Sequence, residues 1–142
     1  MKDSSAGFAL LDHPADLGIE AFGKELVEAF EQAAMGLMSV ILDSSKIELL
    51  QSRSIQLDAV DTPQLLVKWL TEILYLYDGQ GFAGGGFKIS RLSPKRLEAT
   101  IQGETFLESK HTPRLDVKAI TYHQLLIEQG RAGARVRVYL DI

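Results

Sequence analysis

The sequence predicts an α+β fold, with two amphipathic helices packed on a mostly antiparallel sheet in a single compact domain spanning residues 1–142. Two segments, 24–42 and 62–79, place apolar residues at three- and four-residue steps, as a helix with one buried face does. After residue 87 the chain alternates as strands do, and no linker rich in Gly, Pro or Ser is long enough to separate domains. The order of a helix followed by strands occurs twice, which suggests an internal duplication.

Near the N-terminus, a tight loop that contains Pro14 joins two short alternating runs, around residues 8–12 and 19–23. The alternation predicts that His13 to Leu17 is presented on a rigid, hairpin-like support. Asp16 has two interpretations. Aspartate is a common turn residue whose carboxylate bonds nearby backbone N–H groups, but connections also carry a large share of functional side chains.

The two helices have recognisable boundaries. The first is predicted over Lys24 to Leu42, and in the second Thr62 can cap the helix, Pro63 suits its first turn, and Gly79 favours its end. Between them, Ser54 to Ala59 alternates as a half-buried strand. The predicted buried face of the second helix consists of Leu66, Trp69, Leu70, Ile73, Leu74 and Tyr77.

The C-terminal half is predicted to contain four strands, at 87–92, 97–101, 117–127 and 134–142. Turns at Ser93-Pro94, around Thr112-Pro113 and at Gln129-Gly130 separate them. Short connections of this kind favour antiparallel meanders over parallel crossovers.

Composition excludes several functional classes. The absence of cysteine excludes disulfides, thiolate zinc sites and thiol nucleophiles, so a metal would need oxygen or imidazole ligands. A net charge of −4 argues against nucleic-acid binding that depends chiefly on neutralising phosphates. The N-terminus lacks the apolar run of a signal peptide and no segment is long enough to span a membrane, so a cytoplasmic location is predicted.

Three glycines, Gly79, Gly81 and Gly84, match the spacing of a dinucleotide-binding loop. Such a loop needs a strand before it and a helix N-terminus after it to receive the pyrophosphate. Here a predicted helix comes before the glycines and a predicted strand follows, so the glycines are interpreted as a helix stop and a flexible strand start.

The last strand places charged residues on one face. Arg135, Arg137, Tyr139 and Asp141 alternate with apolar residues, and the alternation continues to Ile142, whose α-carboxylate would lie next to the Asp141 carboxylate. Two neighbouring anions require a nearby cation or a retained proton. The cation could be Arg135 or Arg137, which this segment by itself favours, or a hard metal ion such as calcium or magnesium.

Four motifs together resemble the archease family over nearly the whole chain. They are HPADLGIEAFG near the start, LLVKWLTEILYLYDGQGF in the second helix, VKAITYHQL at Val117 to Leu125, and the terminal LDI. Pro14 stands where the family's HTADxG motif has threonine, and Gly84 to Gly86 replace bulkier residues. The first departure affects the stiffness of the loop and leaves the carboxylate in place.

The resemblance implies that the protein is not an enzyme by itself but a protein cofactor of an RtcB-type RNA ligase in tRNA splicing and RNA repair. It would promote guanylylation of the ligase, support multiple turnover and broaden nucleotide use. Its partner would be the ligase, tRNA would be reached only through the ligase, and no membrane would be involved. The alternative is a chaperone or modulator of tRNA-modifying enzymes such as methyltransferases.

The resemblance also implies a site. The family's acidic cluster falls on Asp16, Asp141 and Ile142, and would bind a divalent metal ion, expected to be calcium. The family's functional lysine falls on Lys118, and His13 is a further candidate, whereas His111 and His123 are interpreted as hydrogen-bonding residues. An independent metal-dependent hydrolase is less favoured, since no persuasive nucleophile, general-base pair or phosphate cradle is present.

Overall fold

The computed structural model describes residues 6–12 and 16–142, and confirms the α+β prediction. Its strands and helices are β1 (Gly7–Asp12), β2 (Asp16–Gly23), α1 (Leu26–Ile41), β3 (Gln51–Asp58), α2 (Thr62–Gln80), β4 (Phe82–Ser93), β5 (Arg96–Thr105), β6 (Ala119–Gly130) and β7 (Gly133–Asp141). In this part of the chain, neither helix is long and apolar enough to cross a membrane.

The strands form two antiparallel sheets, one with the order β1-β2-β7-β6 and the other with the order β3-β5-β4. The predicted hairpins β4–β5 and β6–β7 are confirmed. The predicted antiparallel pairing is confirmed, but the strands divide into two sheets, because the segment 106–118 leaves one sheet and enters the other. Main-chain hydrogen bonds hold this segment against the end of α1, with the N–H of Arg114 donating to Ile41 at 2.8 Å and that of Leu115 to Val40 at 3.1 Å.

Both helices contribute to one hydrophobic core, as a single domain requires. Helix α1 contacts strands of both sheets, and α2 packs beside it against β6 and β4. At their contact the buried indole N–H of Trp69 donates to the carbonyl of Phe30 at 2.9 Å, and the ring meets Phe87 edge-on at 6.2 Å. This bond satisfies the one polar group of a large buried side chain. The internal duplication stays a prediction.

The boundaries of α2 differ slightly from those predicted. Its N-cap is Asp61, not Thr62, because the Asp61 carboxylate accepts the N–H of Gln64 at 2.9 Å. Its C-cap is Gly81, whose φ of 64° lies in the left-handed region that glycine adopts without strain, so the predicted stop at Gly79 falls inside the helix. Strand β4 follows directly, and the rejection of a dinucleotide-binding loop is therefore confirmed.

Candidate functional site

Asp16 and Asp141 lie directly opposite each other in the four-stranded sheet. Asp16 is the first residue of β2, Asp141 is the last residue of β7, and the antiparallel register pairs the two. Side chains of paired residues share a face of the sheet, with Cβ atoms about 4.5–5.5 Å apart. Two carboxylates that are distant in sequence therefore meet at one end of the sheet, where Asp16 is half-buried and Asp141 is exposed.

Lys118 and Ile142 flank Asp141. The main-chain N–H of Lys118 donates to the carbonyl oxygen of Asp141 at 2.7 Å, just before β6 begins with Ala119. Ala119 is paired with Asp141 on the side opposite to Asp16, while Ile142 follows Asp141 in the chain. We call Asp16, Lys118, Asp141 and Ile142 the acidic end of the protein.

The arginines of β7 do not neutralise the acidic end, so the interpretation favoured by the last segment alone is wrong. Arg135 contacts Glu128 at 2.7 Å and Glu20 at 3.7 Å, and Arg137 approaches Glu20 at 4.0 Å. The register explains this pairing, because Glu128 is opposite Arg135 and Glu20 is opposite Arg137. Each arginine thus pairs with a glutamate on a neighbouring strand, several residues along β7 from Asp141.

The structure describes four of the five predicted site residues, Asp16, Lys118, Asp141 and Ile142. His13 lies outside the described residues. Among the side chains that are described, no three from His, Asp or Glu are grouped so that they could hold a metal ion together. Two facing carboxylates and neighbouring main-chain oxygens nevertheless have the chemistry that hard cations prefer, and calcium takes six to eight such oxygens. The donor set that the described residues provide thus fits such an ion but is incomplete.

A second charged cluster, which sequence reasoning missed, lies between β5 and the segment 106–118. Its centre is Glu104, 4% exposed, which contacts Lys110 at 2.8 Å and His111 at 2.9 Å and accepts the main-chain N–H of Glu48 at 2.9 Å. Glu48 also pairs with Lys110. We call Glu48, Glu104, Lys110 and His111 the Glu104 network.

The hydrogen bonds of the network define its charges. The Lys110 ammonium and the Glu48 N–H hold the pKa of Glu104 at about 2, and the Glu104 carboxylate raises the pKa of Lys110. His111 is 2% exposed, and its Nδ1 accepts the N–H of Leu107 at 2.9 Å. The ring proton must then be on Nε2, which donates it in a hydrogen bond to the Glu104 carboxylate, so the ring is neutral. The interpretation of His111 as a hydrogen-bonding residue is confirmed.

No pattern in the sequence predicts the Glu104 network. Leu97, Ala99 and Ile101 alternate along β5, and Glu104 falls on the phase that the alternation assigns to solvent. It is buried because the segment 106–118 folds back over it, a long-range contact that local periodicity does not report. The cue, if any, is a lysine and a histidine adjacent at 110 and 111.

The protein is thus an α+β domain of two antiparallel sheets with paired carboxylates at one end. The model of the Archease protein family matches residues 8–142, and the chain belongs to this family. The protein archease of Sulfolobus acidocaldarius is 40% identical over 136 residues, which cover 95% of this chain and 98% of that protein. The protein archease of Methanosarcina acetivorans is 31% identical and covers both chains fully.

Two solved structures have a similar fold. The solution structure of Methanobacterium thermoautotrophicum protein 1598 has a TM-score of 0.81 at 33% identity, covering 96% of this chain and 99% of that one. The crystal structure of a Thermotoga maritima archease, described as a possible chaperone, has a TM-score of 0.60 and covers 93% and 94%. At 20% identity this second likeness concerns the fold alone.

Proposed function

We propose that this protein activates an RtcB-type RNA ligase, and that it acts through the acidic end rather than as an enzyme by itself. The observation that carries the proposal is the register of β2 and β7, which sets Asp16 opposite Asp141 in a chain of the archease family. Like charges placed directly opposite each other on neighbouring strands are unfavourable for the fold. An arrangement that costs stability is expected to be retained for a function.

The role of the chain's own residues follows from their charge. Asp16 and Asp141 would bind a divalent ion such as calcium, with main-chain oxygens of Ile142 and ligands from water or the partner completing the set. The ion would supply positive charge that couples the carboxylates to the ligase or to its nucleotide phosphates. Lys118, held beside Asp141 by its main-chain hydrogen bond, would add a cation for a phosphate group.

Electrostatics also supports such a partner. The chain carries a net charge of −4, and an RNA ligase needs a positive cleft to hold RNA phosphates. Complementary charge accelerates the encounter of two proteins. In this reaction the acidic end would approach the cleft and promote guanylylation, multiple turnover and the use of further nucleotides.

The test is an RtcB-type ligase assay with limiting ligase, excess broken RNA and GTP or another nucleotide, in the presence of this protein. We expect wild type to restore multiple turnover, and Asp141→Ala or Lys118→Ala to lower it about tenfold or more, as loss of one charged group in a catalytic assembly commonly does. Asp58→Asn is the matched control, because Asp58 is exposed and pairs with Arg96 at 2.9 Å in the other sheet. Normal turnover with Asp141→Ala would contradict the role of the acidic end.

A chaperone role is the second candidate, since a Thermotoga maritima protein of the same fold is described as a possible chaperone. A chaperone or a modulator of a tRNA methyltransferase would protect that enzyme from aggregation or raise its activity without the ligase. Asp141→Ala should retain such an activity if apolar surface carries it, so both assays with the same variants separate the two functions.

A further inference from the structure

Strand β6 contains a large bulge close to the acidic end. Its register with β7 passes from Thr121 opposite Tyr139 to Leu126 opposite Arg137. Four residues, Tyr122 to Leu125, therefore face the single residue Val138, where a regular ladder would have one. Bulges of this kind often lie beside functional sites, where they redirect side chains.

The bulge is fixed at both of its ends. The hydroxyl of Thr121 donates to the carbonyl of Tyr139 at 3.0 Å and accepts the N–H of His123 at 3.2 Å. At the other end, the carbonyl of Gln124 accepts Arg137 Nε at 3.4 Å. Gln124 has a φ of 51°, and among the described residues it alone combines a positive φ with a side chain. Such strain persists where the surrounding structure enforces it, and it is common at functional sites.

Aromatic packing connects the bulge to the acidic end. The His123 ring meets the Tyr139 ring at 6.0 Å and 61°, and Tyr139 is buried against Gly18. An added Cβ at Gly18 would lie 2.8 Å from a ring carbon of Tyr139, so glycine is needed for this close approach. Gly18 and Tyr139 are paired two residues inward from Asp16 and Asp141, and hence lie on the same face of the sheet.

The bulge leaves Tyr122 at the surface. Its side chain is 54% exposed, although it is bordered by residues with fixed positions. A tyrosine offers a large apolar contact with a hydroxyl at its tip and only two flexible torsions, which is why it is enriched among the residues that dominate binding energy at interfaces. A rigid, strained support would hold an exposed tyrosine in place before a partner binds, whereas a mobile loop would not.

We propose that Tyr122 anchors the partner ligase, with the bulge as its rigid support. This inference rests on the proposed function, and it names the part of the surface that binds. The ligase would present a basic, phosphate-binding surface to the acidic end, and an apolar recess beside it to the Tyr122 ring. The charges of the acidic end would raise the rate of association with the ligase, and burial of the Tyr122 ring would lower the rate of dissociation.

The experiment compares Tyr122→Ala, Tyr122→Phe and the control Tyr75→Ala in the full chain. Tyr75, in α2, is 52% exposed and so matches Tyr122 in residue type and exposure. We would measure the Kd for an RtcB-type ligase, and multiple-turnover stimulation over a range of protein concentrations. Thermal unfolding of each variant would verify that the chain folds.

We expect Tyr122→Ala to weaken binding roughly 10- to 30-fold, the range for a central interface aromatic, with the plateau of stimulation retained at saturating protein. Tyr122→Phe and Tyr75→Ala should remain within about threefold of wild type, because the ring and not the hydroxyl carries most of the contact. A defect in the acidic end would lower the plateau of stimulation itself. Weaker binding with an unchanged plateau would therefore point to the anchor.

The outcomes that overturn the proposal are distinct from failure of the proposed function. If wild type binds and stimulates the ligase but Tyr122→Ala binds as tightly as Tyr75→Ala, the anchor is refuted and the proposed function stands. An equal loss with Tyr122→Phe would also refute the aromatic contact. If wild type neither binds nor stimulates the ligase, the proposed function and the anchor both fail.

Discussion

The Glu104 network and the acidic end both bring carboxylates together, but they do so with opposite electrostatics. Glu104 is surrounded by donors from its own chain, the Lys110 ammonium, the His111 ring and the Glu48 N–H. At the acidic end, strand register sets one carboxylate opposite another, and the nearby arginines pair with Glu20 and Glu128 instead. The first arrangement holds the fold together, whereas the second is costly for the fold and suits a ligand.

The consequences for folding differ accordingly. A buried carboxylate with complete hydrogen bonding holds its segment in place, and removing one partner leaves polar groups buried without compensation. A pair of like charges near solvent weakens the strand pairing slightly, and removing one charge relieves it. Substitutions in the two regions should therefore change stability in opposite directions.

The largest expected effect is on His111. His111→Ala should lower the free energy of unfolding by about 3 kcal/mol, because Glu104 and the N–H of Leu107 lose a buried partner, and Phe106 loses the ring that it stacks on. His123→Ala is the matched control, since His123 is exposed, and it should cost no more than about 1 kcal/mol. Denaturant unfolding measures both; similar losses for the two variants would contradict the structural role of the network.

Acid should weaken the network in a defined range of pH. The pKa of Glu104 is about 2 in the fold against an ordinary value of 4.5, so its ionised form stabilises the folded state fully above about pH 4.5. That contribution should be lost as the pH falls from about 4.5 to about 2, since the unfolded chain takes up the proton first.

Thermal unfolding from about pH 6 to about pH 2 checks this expectation, with Glu104→Gln for comparison. The variant should have a lower Tm than wild type at neutral pH, and the difference should shrink as the solution becomes acidic. A difference that stays constant across this range would show that ionisation of Glu104 does not stabilise the fold.

The two regions also differ in how much of each could be predicted from sequence. Asp16 was predicted from a loop between alternating runs, and Asp141 from an alternation that continues to the end of β7, because both features are local. Their direct pairing required the register of β2 with β7, a long-range property for which the family resemblance was the only sequence guide. Binding of an ion there stays a prediction.

The Glu104 network, the division into two sheets and the bulge in β6 were not predicted, for a common physical reason. Each depends on where a distant segment packs: the segment 106–118 against the end of α1, and the strand pairing across Thr121 and Leu126. Residues 117–127 alternate well enough to suggest one regular strand, although the partner strand accommodates only part of it. Periodicity reports a strand's faces but not its partner.

The smallest expected effect is at the acidic end, and its sign distinguishes the two regions. Asp141→Asn should leave the free energy of unfolding unchanged or raise it by up to about 0.5 kcal/mol, because it removes a like charge opposite Asp16. Asp58→Asn should instead lower it slightly, since the variant loses the charge that pairs with Arg96. Unfolding in low salt, where screening is weakest, would resolve these signs.

A clear loss of stability with Asp141→Asn would mean that the fold itself uses this carboxylate, and the acidic end would then resemble the Glu104 network rather than a binding site. With stability retained, a loss of ligase stimulation in the same variant would assign the carboxylate to function.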